Sequence, residues 1–448
     1  MRPWLVIFVA WLIGLSAQAA EVADDELPLG AKVSYLDNGI IRVGVDLNHG
    51  GAIVYLAPKG GRNLINNFDL GRQVQMSFYS GPVPYSEKGQ TPSEHWKGLG
   101  WNPIQTGDDF KNPSRVSAHE NDGKRLHVMC IPMQWPLNNV PGECTFESWL
   151  ELENTWVKVR SRLTNARSDR TFYRARQQEL PAVYANGAFF RVVSYVGTRP
   201  FTGEAISELP KSKTKHPWVH WEATERWSAL LDAADDGLGL ITPSRVDHTG
   251  GFAGKPGPNS SRANATGYLA SQGLEILDHN ITYDYAYELV VGNLATIRAR
   301  AKEVYATPTA SLPRWVFTSN RQGWFYADKG LDTGWPISGE LNLRPDGQGT
   351  FRALSPLTLW QADQAGSLVV EAALSGSTST ATVVLNKHAA NANGTNVQIS
   401  FPVQADGQMR RYTVPIPTTG YTGAYHRITL LLTSQTTGAR VKSVELTK

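Results

Sequence analysis

The sequence predicts an all-β protein, and three observations support this prediction. Most segments alternate apolar and polar residues with a period of two, which is the pattern of half-buried strands. Gly and Pro contribute 41 and 26 of the 448 residues, so turns between short strands are plentiful. Helical periodicity is clear in a single segment, 294–305.

The first residues have the organisation of a secretory signal peptide. Arg2 supplies a positive charge, Leu5–Leu15 is an apolar run, and Ala17-Gln18-Ala19 provides a small-residue cleavage site. The run is too short to span a bilayer as a helix. We therefore predict that residues 1–19 are removed, that the mature protein is secreted or periplasmic, and that it has no stable membrane insertion.

Net charge excludes one class of partner. Lys and Arg number 43 against 40 Asp and Glu, which leaves a net charge of +3. Binding to nucleic acid through a polybasic surface requires a much larger positive excess. No nucleic-acid partner is predicted.

Strand patterns continue through a long first region. Trp156–Leu163 and Tyr283–Val291 alternate cleanly, and Trp227–Leu231 and Gly239–Thr242 flank an Asp-Asp-Gly turn that predicts a hairpin. Asn293 is a suitable N-cap for the one predicted helix, which presents an apolar face to the protein. We predict a single large β domain at 20–306, because so many strands exceed the needs of a small sandwich.

A second domain is predicted after a Pro- and Thr-bearing linker at 307–313. The composition changes there from Trp-rich to Thr- and Val-rich. Regularly spaced short strands then predict a C-terminal jelly-roll β-sandwich at 314–448. The predicted strands are Leu368–Leu374, Thr380–Leu385, Val397–Phe401, Arg410–Val414, Arg427–Leu432 and Val441–Leu446.

Two cysteines, Cys130 and Cys144, are separated by a segment rich in Pro and Gly. An exported protein encounters an oxidising compartment, so we predict a disulfide between them. Two buried thiols are the alternative. A catalytic cysteine is not expected there.

The segment Glu94–Asp109 (EHWKGLGWNPIQTGDD) concentrates aromatic and charged residues in a loop broken by Gly and Pro. Indole rings stack on the C–H face of a pyranose and carboxylates accept its hydroxyl protons, so such a loop is suited to sugar binding. The candidates are His95, Trp96, Trp101, Asp108 and Asp109. The alternative is a covering loop whose indoles complete the core and whose aspartates stabilise turns.

Two further segments supply candidate site residues. In an extended strand Gln75 and Tyr79 share a polar face, as in a sheet concavity that binds sugar, and Arg72 lies on the opposite, mostly apolar face. A solvated sheet face is the alternative. In Arg174–Pro181, Glu179 is predicted beside arginines, which favours an ionised base or nucleophile, with a structural Arg–Glu pair as the alternative. Pro181 is predicted to end that strand. Further candidates are Arg176, Tyr184 and Glu225.

Metal and cofactor motifs are missing from the sequence. It contains no G-x-S-x-G, P-loop, H-E-x-x-H or dinucleotide fingerprint. His216 and His220 have a metal-like spacing, but Pro217 lies between them and disfavours a helix that presents both rings. No metal and no cofactor are predicted.

Several stretches resemble a set of secreted bacterial proteins: Asn63–Gly81, Trp101–Asp109, Gln177–Gly187 and Arg226–Pro243. The start, with Leu36-Asp37-Asn38-Gly39 and a later Gly-Gly before an apolar strand, resembles the galactose-mutarotase-like supersandwich. The end, from Ile399–Ile416 through Gly420-Tyr421-Thr422-Gly423, resembles galactose-binding-like jelly rolls of carbohydrate enzymes. The resemblance implies a sugar epimerase, glycoside hydrolase or polysaccharide lyase, and it assigns no residue a role.

Together these patterns predict a secreted carbohydrate-active protein whose partner is a poly- or oligosaccharide. The first hypothesis is a glycoside hydrolase, which needs two carboxyl groups about 5–5.5 Å apart for retention or about 6.5–9.5 Å apart for inversion. We assign Asp108 as acid and Glu179 as base or nucleophile, with Asp109 and Glu225 as further candidates. A lyase would use Tyr184 or His95 as base and Arg72 or Arg176 to neutralise a uronate. A non-catalytic glycan-binding or envelope protein is the third hypothesis.

Overall fold

The structure is a computed structural model that describes residues 26–212, 217–257, 260–306, 312–327, 330–345, 350–389 and 395–448. Strands dominate these ranges, and the predicted all-β class is confirmed. The predicted signal peptide, His216 and residues 307–311 of the predicted linker lie outside the described residues.

Residues 26–306 form nineteen described strands followed by a helix. The strands are β1 Val33–Asp37, β2 Ile41–Asp46, β3 Ile53–Pro58, β4 Val74–Ser77, β5 Pro103–Ile104, β6 Arg115–Asn121, β7 Arg125–Ile131, β8 Met133–Gln134, β9 Cys144–Glu153, β10 Trp156–Asn165, β11 Arg176–Asn186, β12 Arg191–Ser194, β13 Ser207–Glu208, β14 Trp218–Glu222, β15 Trp227–Leu231, β16 Asp236–Ile241, β17 Asp247–Ala253, β18 Thr266–Glu275 and β19 Thr282–Asn293. The helix α1 spans Leu294–Ala306.

Two large antiparallel sheets make up this part, which we call the large sandwich. Among the described residues one sheet has ten strands, ordered β1-β2-β3-β4-β11-β18-β17-β14, with β5 and β8 attached beside β4. The other has nine, ordered β13-β12-β15-β16-β19-β10-β9-β7-β6. Their facing sides bury an apolar core that includes Val43, Phe78, Phe146, Leu150 and Val183.

The predicted local elements of this part are confirmed. Trp156–Leu163 lies within β10, and β15 and β16 form the predicted antiparallel hairpin. The Asn293 side chain accepts a hydrogen bond from the Thr296 amide at 2.9 Å and so caps α1. Helix α1 packs on the outer face of the nine-stranded sheet. A Cβ at Gly239 would lie 2.5 Å from Ile297, so glycine permits this close approach.

Residues 312–448 form a second sandwich, which we call the tail sandwich. Its strands are β20 Arg314–Val316, β21 Phe325–Tyr326, β22 Leu331–Asp332, β23 Leu341–Arg344, β24 Phe351–Leu354, β25 Trp360–Gln361, β26 Ser367–Gly376, β27 Thr380–Lys387, β28 Val397–Pro402, β29 Arg410–Pro415, β30 Ala424–Leu432 and β31 Thr436–Thr447, with a 3₁₀ turn at Ala362–Gln364. Two described six-stranded sheets enclose a core of their own. All six strands predicted for this region lie within observed strands or overlap them closely.

The two sandwiches are joined by buried contacts. Ile276 of the large sandwich belongs to the tail core, and Trp335 packs against both cores. The Arg321 guanidinium of the tail bonds to the Asp278 carboxylate of the large sandwich at 2.5 Å. In the part of the chain that the structure describes, no helix is long and apolar enough to cross a membrane.

The predicted disulfide is wrong, because both Cys130 and Cys144 are free, buried thiols. Cys130 on β7 pairs with Phe146 on β9, so Cys144 is its diagonal rather than its direct neighbour. Diagonal residues of an antiparallel pair are about 7–8 Å apart, beyond the usual reach of a disulfide. Burial raises the pKa of both thiols. The molecule therefore has two buried thiols, as in the alternative to the disulfide.

His248 on β17 gives the fold a defined pH response. It is fully buried between the Ser228 and Thr242 hydroxyls, and burial lowers its pKa from 6.5 to about 3. Above about pH 6.5 both the folded and unfolded states hold a neutral ring. As the pH falls toward 3, only the unfolded state takes up the proton, so the free energy of unfolding falls.

We expect His248 alone to reduce the free energy of unfolding by about 2 kcal/mol between pH 7.5 and pH 5. Urea unfolding at both pH values gives the change in the free energy of unfolding for the wild type and for His248→Gln. The difference between these two changes is the contribution of the imidazole. Equal changes would contradict the assignment of a neutral, buried His248.

Candidate active site

A cleft of about 550 Å³ lies on the face of the ten-stranded sheet that points away from the core. Strands β11, β14, β17 and β18 supply its floor together with Tyr79, which follows β4, and loops 69–72 and 94–109 supply its walls. Six predicted site residues line it together: Arg72, Tyr79, Trp96, Arg176, Glu179 and Tyr184. The structure thus gathers residues that are more than 100 positions apart in the sequence.

Glu179 is the carboxylate on the floor of this cleft. Its Oε2 accepts a hydrogen bond from the Tyr79 hydroxyl at 2.8 Å, and its Oε1 accepts one from the Tyr268 hydroxyl. Glu179 lies in β11 and Tyr268 in the neighbouring strand β18. Tyr79 lies two residues after β4, which is the neighbour of β11 on the other side. The two phenols fix the position of the carboxylate and leave its remaining lone pairs available to a ligand.

A β-bulge in β11 aims Glu179 into the cleft. Glu179 pairs with Gln272 and Ala182 with Ala270, so three steps along β11 match two along β18. The extra residue brings Glu179, Ala182 and Tyr184 to the same face. Pro181 was predicted to end this strand, but the strand continues to Asn186 because the bulge takes Pro181 out of the ladder.

Aromatic rings form a platform beside the carboxylate. Tyr268 lies between Tyr184 and Trp218, with ring centroids 4.7 Å from each. Tyr268 is only 2% exposed, so the faces available to a ligand are those of Tyr184 and Trp218 on either side of it. Aromatic faces next to a polar group are the composition of a ligand pocket.

The phenol hydroxyl groups around Glu179 are proton donors. Burial, reinforced by the negative charge of Glu179, raises the pKa of Tyr79, Tyr184 and Tyr268 well above 10. A phenolate at any of them is therefore disfavoured near neutral pH. The predicted use of Tyr184 as a base is disfavoured by this environment, whereas a role as hydrogen-bond or proton donor is compatible with it.

Loop 94–109 forms one wall. The Arg176 guanidinium donates to the backbone carbonyls of Leu99 and Gly98 at 2.8 and 3.0 Å and so fixes the loop over the sheet. Trp96 packs edge-on against Trp135 at 5.8 Å, and its indole N–H donates to Asp109 at 2.7 Å. This wall is thus an indole surface with an exposed carboxylate behind it.

The opposite wall is held by Arg72. Its guanidinium donates to the backbone carbonyl and the side-chain oxygen of Asn264 at 2.7 and 2.6 Å, and lies 3.3 Å from Asp69. Burial raises the pKa of Asp69; Arg72 opposes the shift and the charge of Asp109 adds to it. Asp69, which lines the cleft, is a carboxyl group that the sequence analysis missed.

Four other predicted residues lie away from the cleft surface. Asp108 is buried and accepts four hydrogen bonds from Phe110, Asn112 and Asn139, so it stabilises a turn. Trp101 is 1% exposed and belongs to the core. The remaining two are Gln75, which bonds to the backbone of Arg72 and Thr106, and His95, which is exposed and contacts Trp96.

Glu225 is also remote from this surface. It is buried beneath α1, where it accepts two hydrogen bonds from the Arg298 guanidinium and one each from the Trp227 indole and the Phe201 amide. These contacts are those of a structural ion pair between the sheet and the helix.

Several cleft residues were not recognised in the sequence. They are Asp69, Trp135, Trp218, His220, Tyr268 and Gln272. For two pairs the period of two was a usable signal, because Trp218 and His220 lie on one face of β14 and Tyr268 and Gln272 lie on one face of β18. What could not be read from the pattern is that these faces meet around one carboxylate.

Two other hollows have comparable size. One of about 730 Å³ lies beside α1, where Arg298 is already paired with Glu225. The other, of about 600 Å³, lies between the sandwiches, where Arg245 pairs with Glu275 and Arg321 with Asp278. Because the charged groups of both hollows are largely committed to structural pairs, the cleft at Glu179 is the stronger candidate site.

Comparison with solved structures finds likenesses that cover a little over half of this chain. A galactose mutarotase-like protein from Lactobacillus casei aligns with 58% of this chain and 100% of its own, at 12% identity and a TM-score of 0.37. A galactose mutarotase related enzyme from Lactobacillus acidophilus aligns with 58% and 97%, at 11% identity and 0.37. A 4-alpha-glucanotransferase from Thermococcus litoralis aligns with 58% and 37%, at 8% identity and 0.30.

No family model matches the sequence, and no curated protein matches it. TM-scores and identities this low say nothing about the chemistry of the cleft. The properties of the site therefore follow from its own residues.

Proposed function

We propose that this chain is a carbohydrate-active protein that binds a poly- or oligosaccharide in the cleft and acts on it with Glu179 as the reacting carboxylate. One observation carries the proposal: Glu179 is held by two phenols on the floor of an open, aromatic-walled cleft. The C–H face of a pyranose stacks on such rings, and its hydroxyl groups bond to carboxylate and amide groups beside them.

The reaction we propose is cleavage of a glycosidic bond with Glu179 as base or nucleophile. Asp69 takes the place first given to Asp108 as the acid, since it lines the same cleft, where its side chain is 43% exposed and partial desolvation raises its pKa. Both carboxyl groups line the cleft together with Tyr184, and the charge of each raises the pKa of that phenol. Paired carboxyl groups in unlike environments are the usual arrangement for acid–base work at sugars.

A second candidate is a lyase that acts on an acidic glycan, and Arg176 favours it. In the part of the chain that the structure describes, the Arg176 guanidinium donates hydrogen bonds to two backbone carbonyls and to no carboxylate. A cation without a neutralising partner on a cleft wall is suited to a uronate carboxylate. In this variant of the proposal Glu179, rather than Tyr184, removes the proton.

The experiment that tests both candidates is incubation of the protein with a panel of neutral and acidic polysaccharides. New reducing ends without ultraviolet absorbance support hydrolysis, and reducing ends with the absorbance of a new C=C bond support the lyase. If neither signal arises and binding is measurable, the protein is a glycan-binding protein and the catalytic part of the proposal is wrong.

Arg176→Gln separates the two substrate classes. If the substrate is acidic, we expect the variant to raise KM or Kd for that glycan by about tenfold, because a charge-assisted hydrogen bond of about 1.5–3 kcal/mol is lost. Neutral oligosaccharides should be affected much less. Equal effects on both would show that Arg176 only holds loop 94–109 in place.

We also propose that the protein acts outside the cytoplasm, on the basis of the signal-like residues 1–19. N-terminal sequencing of protein recovered from the periplasm and medium tests this proposal. A mature chain that begins after Ala19 supports it, and an intact Met1 in a cytoplasmic fraction contradicts it.

A further inference from the structure

Two histidines and a glutamate meet where the tail sandwich contacts the end of the cleft-bearing sheet. Glu222 is the last residue of β14, His388 directly follows β27, and His426 lies in β30. All three are largely buried, with side-chain exposures of 17%, 4% and 18% respectively. We call these three residues the His–Glu cluster.

The donor atoms of the cluster converge. His426 Nδ1 lies 2.7 Å from Glu222 Oε1, and His388 Nε2 lies 3.2 Å from Glu222 Oε2. One donor atom from each residue lies within 4.8 Å of the other two. Ligand atoms at about 2.0–2.2 Å from a tetrahedral zinc ion are roughly 3.3–3.6 Å apart, so the side chains need only small movements to surround one ion.

The orientation of the rings is compatible with a shared ion. The two imidazoles are 5.5 Å apart between centroids and inclined at 66°, so they do not stack. Each presents a nitrogen to the same carboxylate. Two imidazoles and one carboxylate are ligands typical of Zn²⁺ rather than Ca²⁺ or Mg²⁺, which take oxygen ligands.

We propose that Glu222, His388 and His426 bind a zinc ion that fastens the tail sandwich to the cleft-bearing sheet. Three protein ligands leave one position for water or a substrate group, as in open zinc sites. The site links residues about 165 and 200 positions apart in the chain. An ion bound there would stabilise the contact between the two sandwiches.

The proposed site is a neighbour of the cleft. Glu222 follows His220 by two positions on the same face of β14, a distance of roughly 7 Å along the strand, and His220 lines the cleft. Asp247, the strand partner of Glu222, and Arg427 lie beside the cluster with opposite charges. The ion would therefore fix the end of a strand that carries cleft residues, independently of what the cleft does.

Zinc binding to the full chain tests this proposal directly. After treatment with a chelator, we expect equilibrium dialysis against ZnCl₂ to give one ion per chain and thermal unfolding to shift to higher temperature with added zinc. Cobalt substitution should give the visible spectrum of a tetrahedral site with nitrogen and oxygen ligands. His388→Asn and His426→Asn should each weaken zinc binding at least tenfold.

A matched control is His127→Asn. His127 also lies 3.2 Å from a glutamate, Glu147, but it belongs to a pair rather than to a group of three. Its replacement should leave the stoichiometry at one ion. Glu222→Gln, which keeps the size of the side chain but removes its charge and one acceptor oxygen, serves if the histidine variants fail to fold.

Two results would overturn the proposal. One is a wild-type protein that takes up no zinc and shows no thermal shift, in which case the cluster is a carboxylate paired with two imidazoles. The other is zinc binding that survives in both His388→Asn and Glu222→Gln, which would place the ion elsewhere. Neither outcome depends on whether the cleft has glycosidic activity.

Discussion

Replacing Glu179 with Gln is expected to lower kcat on the cleaved glycan by about 100- to 10,000-fold, the usual contribution of a positioned acid–base group. The amide keeps the size of the side chain, and its oxygen can accept a hydrogen bond from one of the two phenols while its NH2 donates to the other. It neither takes up a proton nor attacks a sugar carbon. Initial rates at saturating substrate measure the change, with the thermal midpoint as the check on folding.

Glu120→Gln is the control for this variant. Glu120 is exposed on β6, in the sheet that does not carry the cleft, so its replacement should leave kcat unchanged. Tyr268→Phe removes one of the two phenol contacts of Glu179 and should give a smaller loss than Glu179→Gln. A Glu179→Gln variant with wild-type kcat would remove Glu179 from the mechanism.

The second large effect is expected on stability. Arg321 is 5% exposed; its guanidinium bonds to Asp332 at 2.6 and 2.8 Å and to Asp278 at 2.5 Å. Although burial opposes it, the hydrogen bonds and charge of Arg321 hold the pKa of Asp332 below its usual range. Arg321→Met would leave two buried carboxylates without their cation, at an expected cost of about 3–5 kcal/mol in the free energy of unfolding.

Urea unfolding of Arg321→Met and of Arg125→Met measures this difference. Arg125 is paired with Glu151 on the surface, with both side chains about half exposed or more, so its loss should cost no more than about 1 kcal/mol. If the two variants lose similar free energies, the Arg321 network does not hold the sandwiches together. Adding Asp332→Asn to Arg321→Met should recover part of the loss, because one uncompensated charge is removed.

The fold was largely predictable because its information is local. A period of two marks a strand wherever one face is buried, and the strands β10, β19 and β26 are long enough to show it clearly. The cap of α1 is equally local, since Asn293 bonds to an amide three residues away. Sheet order is a different matter, because β4, β11 and β18 are neighbours in space but not in sequence.

Part of the candidate cleft could be recognised from residue chemistry. Tyr79, Trp96, Arg176 and Glu179 were chosen for their chemistry and proved to line one cleft. Alternation places Arg176 and Glu179 on opposite faces of β11, and Arg176 reaches the cleft from the first position of the strand. The bulge lies beyond Glu179 and brings Tyr184 to the face of Glu179. A single inserted residue reverses every later side chain, and no local pattern announces it.

Other candidates lie away from the cleft, because residue type alone does not determine which side chains are buried. Asp108 and Glu225 have the right chemistry, but turn amides surround one and Arg298 neutralises the other. Trp101 completes the core rather than a binding surface. The His–Glu cluster could not be predicted from the sequence, because its residues lie far apart in the chain and share no spacing motif. Glu222 is in β14, His388 follows β27 and His426 is in β30.

The measurement that tests the central claim most directly is a crystal structure of Glu179→Gln with an oligosaccharide of the glycan that the panel identifies. We expect a pyranose ring stacked on Trp218 or Tyr184, with a hydroxyl or glycosidic oxygen within hydrogen-bond distance of the residue 179 amide and a neighbouring ring near Trp96. Sugar bound only on the tail sandwich, or in either of the other hollows, would contradict the assignment of this cleft as the site.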